Sequence, residues 1–590
     1  MKSFYFKFFS ILAILCLGFL VYSNTFFSSF HFDDEAYIVN NYAIRNLQNL
    51  FDIWNVCPCR VITFLSIALN YHFSHLNVFA YHVFNLIIHL VSACLVWWLI
   101  FLTFSTPLLK NDLINSKRLG NLPAIVALLA ALIFVSHPIQ TEAVTYIWQR
   151  AASMVAFFYL ASLCFYIKAR LLDFTEIKKE DSDPSQEFEL SIGKGFPYYI
   201  FSLITAVAAM FTKENAITLP LMILLYEFCF LRSRDNQKWV QLFPLMIIMF
   251  IIPRTMMLTM SARFQELKSI VEGPGGISPW DYLLTQLRVM MTYLRLMILP
   301  INLNLDYDYP VFRNFFDFPV MAGFISLSAI LIFAKRMFTK YRLISFSIFW
   351  FFLTLLPESS ILPQADVIFE HRLYLPIVGY CLLLASFVYY FPKRFKIIML
   401  LLLVVILFNS FLTYQRNKTW ANEIILWNDV VSKSPHKARG YINRGWAYYN
   451  QGNFNQALSD DDKAILINPK LLYPYDDRGL IYAKEGRFDD AILEYTKAID
   501  LNPYFAEVYY NRGNSYYQLD NYQQALNDFN EAIIVNPEYV DAYNKRGNLF
   551  LKRGKTFQAL SDYKKSIKID PDQAEIKAKL SELNESLVQK

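Results

Sequence analysis

The sequence predicts an all-α protein in two parts, a multi-pass transmembrane helical domain and then an α-solenoid of helical repeats. Three observations predict it. From Met1 to about Leu412 the chain is one apolar run after another, whereas from Arg416 to Lys590 it has ordinary soluble composition. Over its 590 residues it is 55% hydrophobic and only 18% charged, where soluble chains carry about a quarter charged residues. Within the soluble part, proline recurs at Pro435, Pro469, Pro503, Pro537 and Pro571, a spacing of 34 residues.

Runs long enough, or nearly so, to cross about 30 Å of hydrocarbon fall near 6–22, 78–102, 122–136, 150–167, 197–211, 216–231, 239–258, 319–334, 343–356, 373–391 and 396–412. This gives about eleven crossings. The first is read as a retained helix, because no small-residue cleavage site precedes the aromatic stretch Tyr22–Phe32. Lysine and arginine gather in alternate loops: Lys110, Lys117 and Arg118; Lys168, Arg170, Lys178, Lys179 and Lys194; Arg232, Arg234 and Lys238; Lys335, Arg336, Lys340 and Arg342; Lys393, Arg394 and Lys396. The positive-inside rule makes these loops cytoplasmic, with Lys2 and Lys7. An odd number of crossings then puts everything after Leu412 outside. The segment Trp280–Leu299 spaces Asp281, Arg288 and Arg295 for one polar face and reads as an interfacial helix. The formal net charge of +6 sits mostly in these short loops and describes no nucleic-acid surface. Five of the seven cysteines lie inside apolar runs as small hydrophobes. Cys57 and Cys59 are too close in sequence for an easy mutual disulfide, and no second Cys/His cluster offers zinc a site.

The 34-residue period is that of tetratricopeptide (TPR) repeats. Gly445, Gly479, Gly513 and Gly547 keep step with it, as do Ala457, Ala491, Ala525 and Ala559, and Tyr441, Tyr475, Tyr509 and Tyr543. Asp461 stands where Tyr495, Phe529 and Tyr563 supply an aromatic ring, so the first unit is expected to pack less well. The expected domains are a membrane domain at 1–415, a connecting half-repeat at 416–437, four repeats at 438–571 and a capping helix at 572–590. The first helix of each pair lines the concave face, where Trp446, Tyr449, Asn511, Asn514, Tyr517 and Asn548 are candidate acceptor-binding residues. Asparagine grips an extended backbone through paired donor and acceptor; a solvated polar face without ligand is the alternative.

Chemistry is expected where charge meets the membrane. Asp33-Asp34-Glu35 follows the first crossing inside an aromatic run. Adjacent carboxylates repel, which raises one pKa and suits a proton acceptor; a solvated turn or helix N-cap explains the same residues. Arg60, His137, Glu142, Arg150, Lys213, Glu214, Glu370, His371 and Arg372 stand on the same outer side. The cations among them suit a lipid phosphate, while interhelical ion pairs and head-group anchors are the alternative. His82 and His89 read as helix-packing residues. The Asp-Asp pair could hold a divalent ion, but spacing places no third ligand, and no metal or cofactor is identified.

Several stretches together resemble the transmembrane and TPR-repeat-containing O-mannosyltransferases and their bacterial relatives. They are Phe32-Asp33-Asp34 with Asn40-Asn41; Arg60 leading into Leu69-Asn70-Tyr71; Tyr81-His82-Val83-Phe84-Asn85 with His89; His137-Pro138 through Thr141-Glu142-Ala143-Val144 with Arg150; Lys213-Glu214-Asn215-Ala216; Pro300 with Asn304-Leu305-Asp306-Tyr307; and Glu370-His371-Arg372-Leu373-Tyr374-Leu375-Pro376. Val61 departs from the proline that usually follows the loop arginine. The resemblance implies a C-type glycosyltransferase fold. It implies a polyprenyl-phosphate sugar docked at the outer leaflet, and a carboxylate of the first outer loop, Asp33 or Asp34, activating the acceptor hydroxyl. Arg60, Glu142, Arg150, Lys213, Glu214, Glu370, His371 and Arg372 then surround the donor, and the repeats hold a protein acceptor. The competing class is a non-catalytic membrane scaffold whose repeats assemble an envelope or secretory complex.

Overall fold

The computed structural model describes residues 2–48, 50–115, 120–180, 193–231, 237–258, 277–360, 362–364 and 366–588. Lys117, Arg118, Arg232 and Arg234 of the basic loops lie outside the described residues, as do the side chains of Lys178, Lys179 and Lys238. Among the described residues there is no strand. The chain forms two compact units, Met1–Leu426 and Trp427–Lys590.

In the first unit every one of the apolar runs contains helix. Among the described residues seven helices are long and apolar enough to cross a membrane by length and composition, or nine if two bent pairs each count as one span. Phe196–Met210, Arg342–Leu355 and Ile377–Tyr390 are shorter apolar helices. The chain is an integral membrane protein. The helix Leu122–Ser136 is apolar all round and almost wholly buried, packing on Lys2–Tyr22, Val78–Thr103, Ile377–Tyr390 and Phe395–Lys418. Its Ala124, Ala127, Ala130 and Ala131 let those neighbours approach closely. A Cβ on Gly379 would lie 2.5 Å from the Ser347 carbonyl oxygen, so Ile377–Tyr390 can seat against Arg342–Leu355 only with glycine there. Phe395–Lys418 keeps Leu400, Leu401, Leu403, Leu407 and Phe411 exposed, a continuous apolar face suited to hydrocarbon rather than water.

Two features go beyond the sequence reading. Leu50–Val56 and Pro58–Ser74, read as loop, form helices bent by 106° at the break, which places Arg60 at the bend. The helix Pro279–Ile298 exposes Arg288 and Arg295, whereas Tyr282, Gln286 and Tyr293 are buried. Tyr282 Oη donates to the Glu358 carbonyl at 2.6 Å, and Gln286 donates to the Val367 carbonyl at 2.8 Å. This helix fixes the segment that leads into Glu370-His371-Arg372.

The second unit is a stack of helix pairs from Ala438–Asn450 to Thr556–Ile569, followed by Ala574–Val588. Arg444, Arg512 and Arg546 each fork onto the aspartate sixteen residues later, Asp460, Asp528 and Asp562, at 2.7–2.9 Å. Arg478 instead divides between Glu494, at 3.3 Å, and Asp462, at 2.8 Å. Bidentate pairs of this kind lock the two helices of a repeat in register.

Candidate functional site

One group of buried charges of the first unit gathers around two turns of short helix, Thr141–Thr145 and Glu370–Leu373. His371 Nδ1 lies 2.6 Å from Glu142 Oε1, and the His371 backbone N–H donates to Glu142 Oε2 at 3.0 Å. Burial first, then the Lys213 charge, holds the imidazole of His371 well below its ordinary pKa and hence neutral. Glu370 Oε1 accepts from the Asn304 backbone N–H and from Tyr307 Oη, both at 2.6 Å. Burial pushes Glu370 up to about 7, against the opposing pull of the Arg416 guanidinium. The same Arg416 acts on Glu142.

Lys213 Nζ pairs with Glu358 Oε1 at 2.7 Å. Burial raises Glu358, but the Lys213 and Arg372 charges outweigh it and keep the carboxylate ionised. Arg372 donates to the Val367 and Asp366 carbonyls at 3.1 and 2.7 Å. Arg60 forks onto Glu214 at 3.0 and 3.1 Å. Its side chain is 29% exposed, against 6% for Lys213, so Arg60 is the more accessible of these two cations. Arg150 is fully buried. It donates to Asn85 Oδ1 at 2.6 Å, to Ser66 and to the Tyr81 carbonyl, and lies over the Phe84 ring. Through these bonds Arg150 ties three helices together.

Asp33 and Asp34 stand on the other flank of the 141–148 segment. Asp34 is fully buried and accepts the His31 N–H at 3.0 Å and the Trp148 N–H at 2.6 Å, one on each oxygen. Burial raises its pKa to about 8 against the pull of those two N–H groups. Asp33 is half-buried. Its backbone N–H donates to Tyr146 Oη at 2.9 Å, and the same hydroxyl meets the Asp33 carboxylate. Glu35 is exposed. His82 and His89 bond to the backbone of Ser28 and Val135 inside the bundle, as packing residues do.

The end of the helix Phe395–Lys418 joins the two clusters. Arg416 acts on Glu142 and Glu370. Asn417 Oδ1 accepts from Thr145 Oγ1 at 3.0 Å. Next to it the Trp420 carbonyl lies 2.7 Å from His31 Nε2, and the Trp420 ring stacks on Tyr146. Sequence reasoning missed Arg416, Asn417, Trp420 and Glu358. Arg416 looks like a charge ending a span, and only the pairing of an arginine with the buried polar Asn417 in one helical turn hinted otherwise. Among the described residues no group of three or more His, Cys, Asp or Glu is placed to hold a metal ion.

In the second unit Trp446 and Tyr449 stack at 5.2 Å. Asn511 donates to Asp476 Oδ1 at 3.2 Å, and Asn514 bonds the Tyr510 hydroxyl. Asn548 accepts from Tyr563 Oη at 2.8 Å, and the Tyr517 ring carries Lys552 Nζ 5.1 Å from its centroid.

Comparison with known proteins bears on both units. Residues 479–520 match the TPR repeat model, and 438–471, 506–539 and 540–573 match tetratricopeptide repeat models. A crystal structure of MamA is 22% identical, covering 26% of this chain and 88% of that one, with a TM-score of 0.24. Protein O-mannosyl-transferase Tmtc3 of Drosophila melanogaster is 25% identical over 77% of this chain and 54% of its own length. Protein O-mannosyl-transferase TMTC3 of Homo sapiens is 26% identical over 76% of this chain and 50% of its own. The chain thus spans about half the length of these relatives. A match over three quarters of the chain is longer than the unit Trp427–Lys590 and must include membrane helices. From its membrane helices into its repeats, the chain is similar to the TMTC protein O-mannosyl-transferases.

Proposed function

We propose that the protein is a membrane glycosyltransferase. It moves a sugar, mannose by analogy with its relatives, from a polyprenyl-phosphate donor to a hydroxyl of a protein acceptor, on the extracytoplasmic side, with the repeats engaging the acceptor. The observation that carries the reading is the gathering of Glu142, Lys213, Glu358, Glu370, His371 and Arg372, all buried or nearly so, within a unit of apolar helices. Ionisable groups are costly there and mark function by default. In this reading Asp33 is the base. It takes the proton of the acceptor hydroxyl as that oxygen attacks the anomeric carbon, and the bond to the lipid phosphate breaks. The half-buried Arg60 is the first contact of the departing phosphate, exchanging Glu214 for phosphate oxygens. Asp34, whose oxygens both serve backbone N–H groups, holds the loop that carries Asp33.

The test is transfer from polyprenyl-phosphate mannose to a serine- and threonine-containing protein by purified protein in nanodiscs. Transfer by the wild type, lost in Asp33→Asn, supports the reading. A well-folded wild type that transfers nothing from a panel of polyprenyl-phosphate sugars overturns it in favour of a scaffold.

A further inference from the structure

The four repeats differ at one packing position. Tyr495, Phe529 and Tyr563 lie over Gly479, Gly513 and Gly547 so closely that a Cβ on each glycine would come within 2.5, 2.8 and 2.7 Å of the ring. In the first repeat the ring is replaced by Asp461, whose Oδ1 would be 3.2 Å from a Cβ on Gly445. Its carboxyl is 0% exposed, and neither oxygen has a hydrogen-bond partner. In the fourth repeat the equivalent tyrosine reaches Asn548 on the first helix of the pair. Asp461 lacks the ring and cannot make that reach.

What Asp461 meets there is further negative charge. Asp477 acts on it most strongly, and Asp476 and Asp477 repel each other. Burial and the charges of Asp477 and Asp460 push Asp461 up to about 10, and burial with the Glu507 charge pushes Asp476 up to about 7. The charge of Arg478 acts on Asp461, but its two terminal nitrogens are held by Asp462 and Glu494. The charges of Asp477 and Asp476 act on the Tyr449 hydroxyl, and the Tyr449 ring stacks on Trp446. A buried acid without a partner, two more acids and an aromatic platform together complement a cation that is flat and can donate several hydrogen bonds. Among the described residues these carboxylates do not form a metal-ligating group, which favours an organic cation.

We propose that the buried, unpartnered carboxyl of Asp461, with Asp477, is a subsite for a guanidinium group, and that the array takes an extended peptide segment with an arginine seated between Asp461 and Asp477 on the Trp446–Tyr449 face. Calling that segment the acceptor rests on the transferase reading; the subsite itself does not.

The experiment uses the full chain in nanodiscs and a fluorescent ten-residue peptide of serine, threonine and valine with one central arginine, read by anisotropy. Three control peptides carry citrulline, lysine or glutamate at that position. The arginine peptide should bind about tenfold or more tighter than the citrulline peptide, which keeps the shape and loses the charge, and lysine should fall between them. Asp461→Tyr restores the packing of the other three repeats, so it should fold while losing arginine selectivity; Asp477→Asn should lose part of it. Equal binding of arginine and citrulline peptides, or unchanged selectivity in Asp461→Tyr, overturns the proposal. Calcium that binds the wild type without peptide, and not Asp461→Asn, also overturns it in favour of a metal site. Adding polyprenyl-phosphate mannose to the same peptide separates the two readings: selective binding without transfer sinks the acceptor assignment and leaves the subsite standing.

Discussion

Glu142 and His371 are 229 residues apart in sequence, and the carboxylate meets both the ring and the backbone N–H of the histidine, at 2.6 and 3.0 Å. Both are buried, so the pair joins the two short helical turns on which the charged cluster is built. His371→Ala leaves the Glu142 carboxylate with one partner fewer in the interior, which should cost about 1–3 kcal/mol. Glu142→Gln should cost less. The introduced amide can still accept the backbone N–H and donate to a histidine of the other tautomer. Thermal unfolding in detergent measures both; a smaller loss for His371→Ala than for Glu142→Gln would show that the bond is not structural.

The two loop carboxylates should separate by phenotype. Asp33→Asn should lower turnover about 10²–10⁴-fold, the usual worth of a general base, with the unfolding temperature unchanged. Asp34→Asn should act through folding. It puts an amide N–H against the N–H of either His31 or Trp148, and a buried donor facing a donor costs about 1–3 kcal/mol. Turnover and unfolding temperature measured on both variants decide it. Loss of turnover in Asp34→Asn alone, at full stability, would exchange the two roles.

The cations should separate likewise. Arg60→Lys keeps the charge but not the fork, and should raise the donor KM about tenfold while leaving kcat within a few-fold. Glu214→Gln weakens the rival for Arg60 and should lower the donor KM. Arg150→Lys should reduce stability first, because Asn85, Ser66 and Tyr81 all lose their shared donor. A donor titration beside thermal unfolding for each variant distinguishes these outcomes. A KM effect confined to Arg150→Lys would show that the fully buried guanidinium, not that of Arg60, meets the phosphate.

Local pattern reveals some of this protein and not the rest. The apolar runs and the 34-residue proline period are properties of contiguous sequence, and the helices and repeats follow from them. The bend at Arg60 was illegible because Asp52, Asn55 and Arg60 break the apolar run into pieces too short to signal a helix. Lys213–Glu358 and Glu142–His371 join residues far apart in the chain, so neither partner predicts the other. Local sequence marked Glu142, Lys213 and His371 as charged outer-side residues, but Glu358 sat in a loop with nothing beside it. The Arg444, Arg512 and Arg546 forks were legible and overlooked: arginine and aspartate recur at the same 34-residue period as the proline.

The stability of the repeat unit should fall as pH rises. Asp461 titrates near 10 in the folded chain and near 3.9 when unfolded. Across that window the folded state holds a proton that the unfolded state has released. An acid raised in this way contributes its full stability below the unfolded pKa and loses it progressively up to the folded one, with a slope of at most about 1.4 kcal/mol per pH unit. Asp477, raised well above its ordinary value by burial and by Asp476, acts in the same direction. Between about pH 5 and pH 9 the unfolding midpoint of the repeats should therefore drop. Asp461→Asn should flatten part of that dependence and stand above the wild type at the alkaline end. A fluorophore on Lys470→Cys, in a background without the seven native cysteines, reports the repeats separately from the membrane helices. A midpoint that rises with pH, or an Asp461→Asn profile parallel to the wild type, would show that Asp461 is ionised in the folded chain and already has its counter-charge.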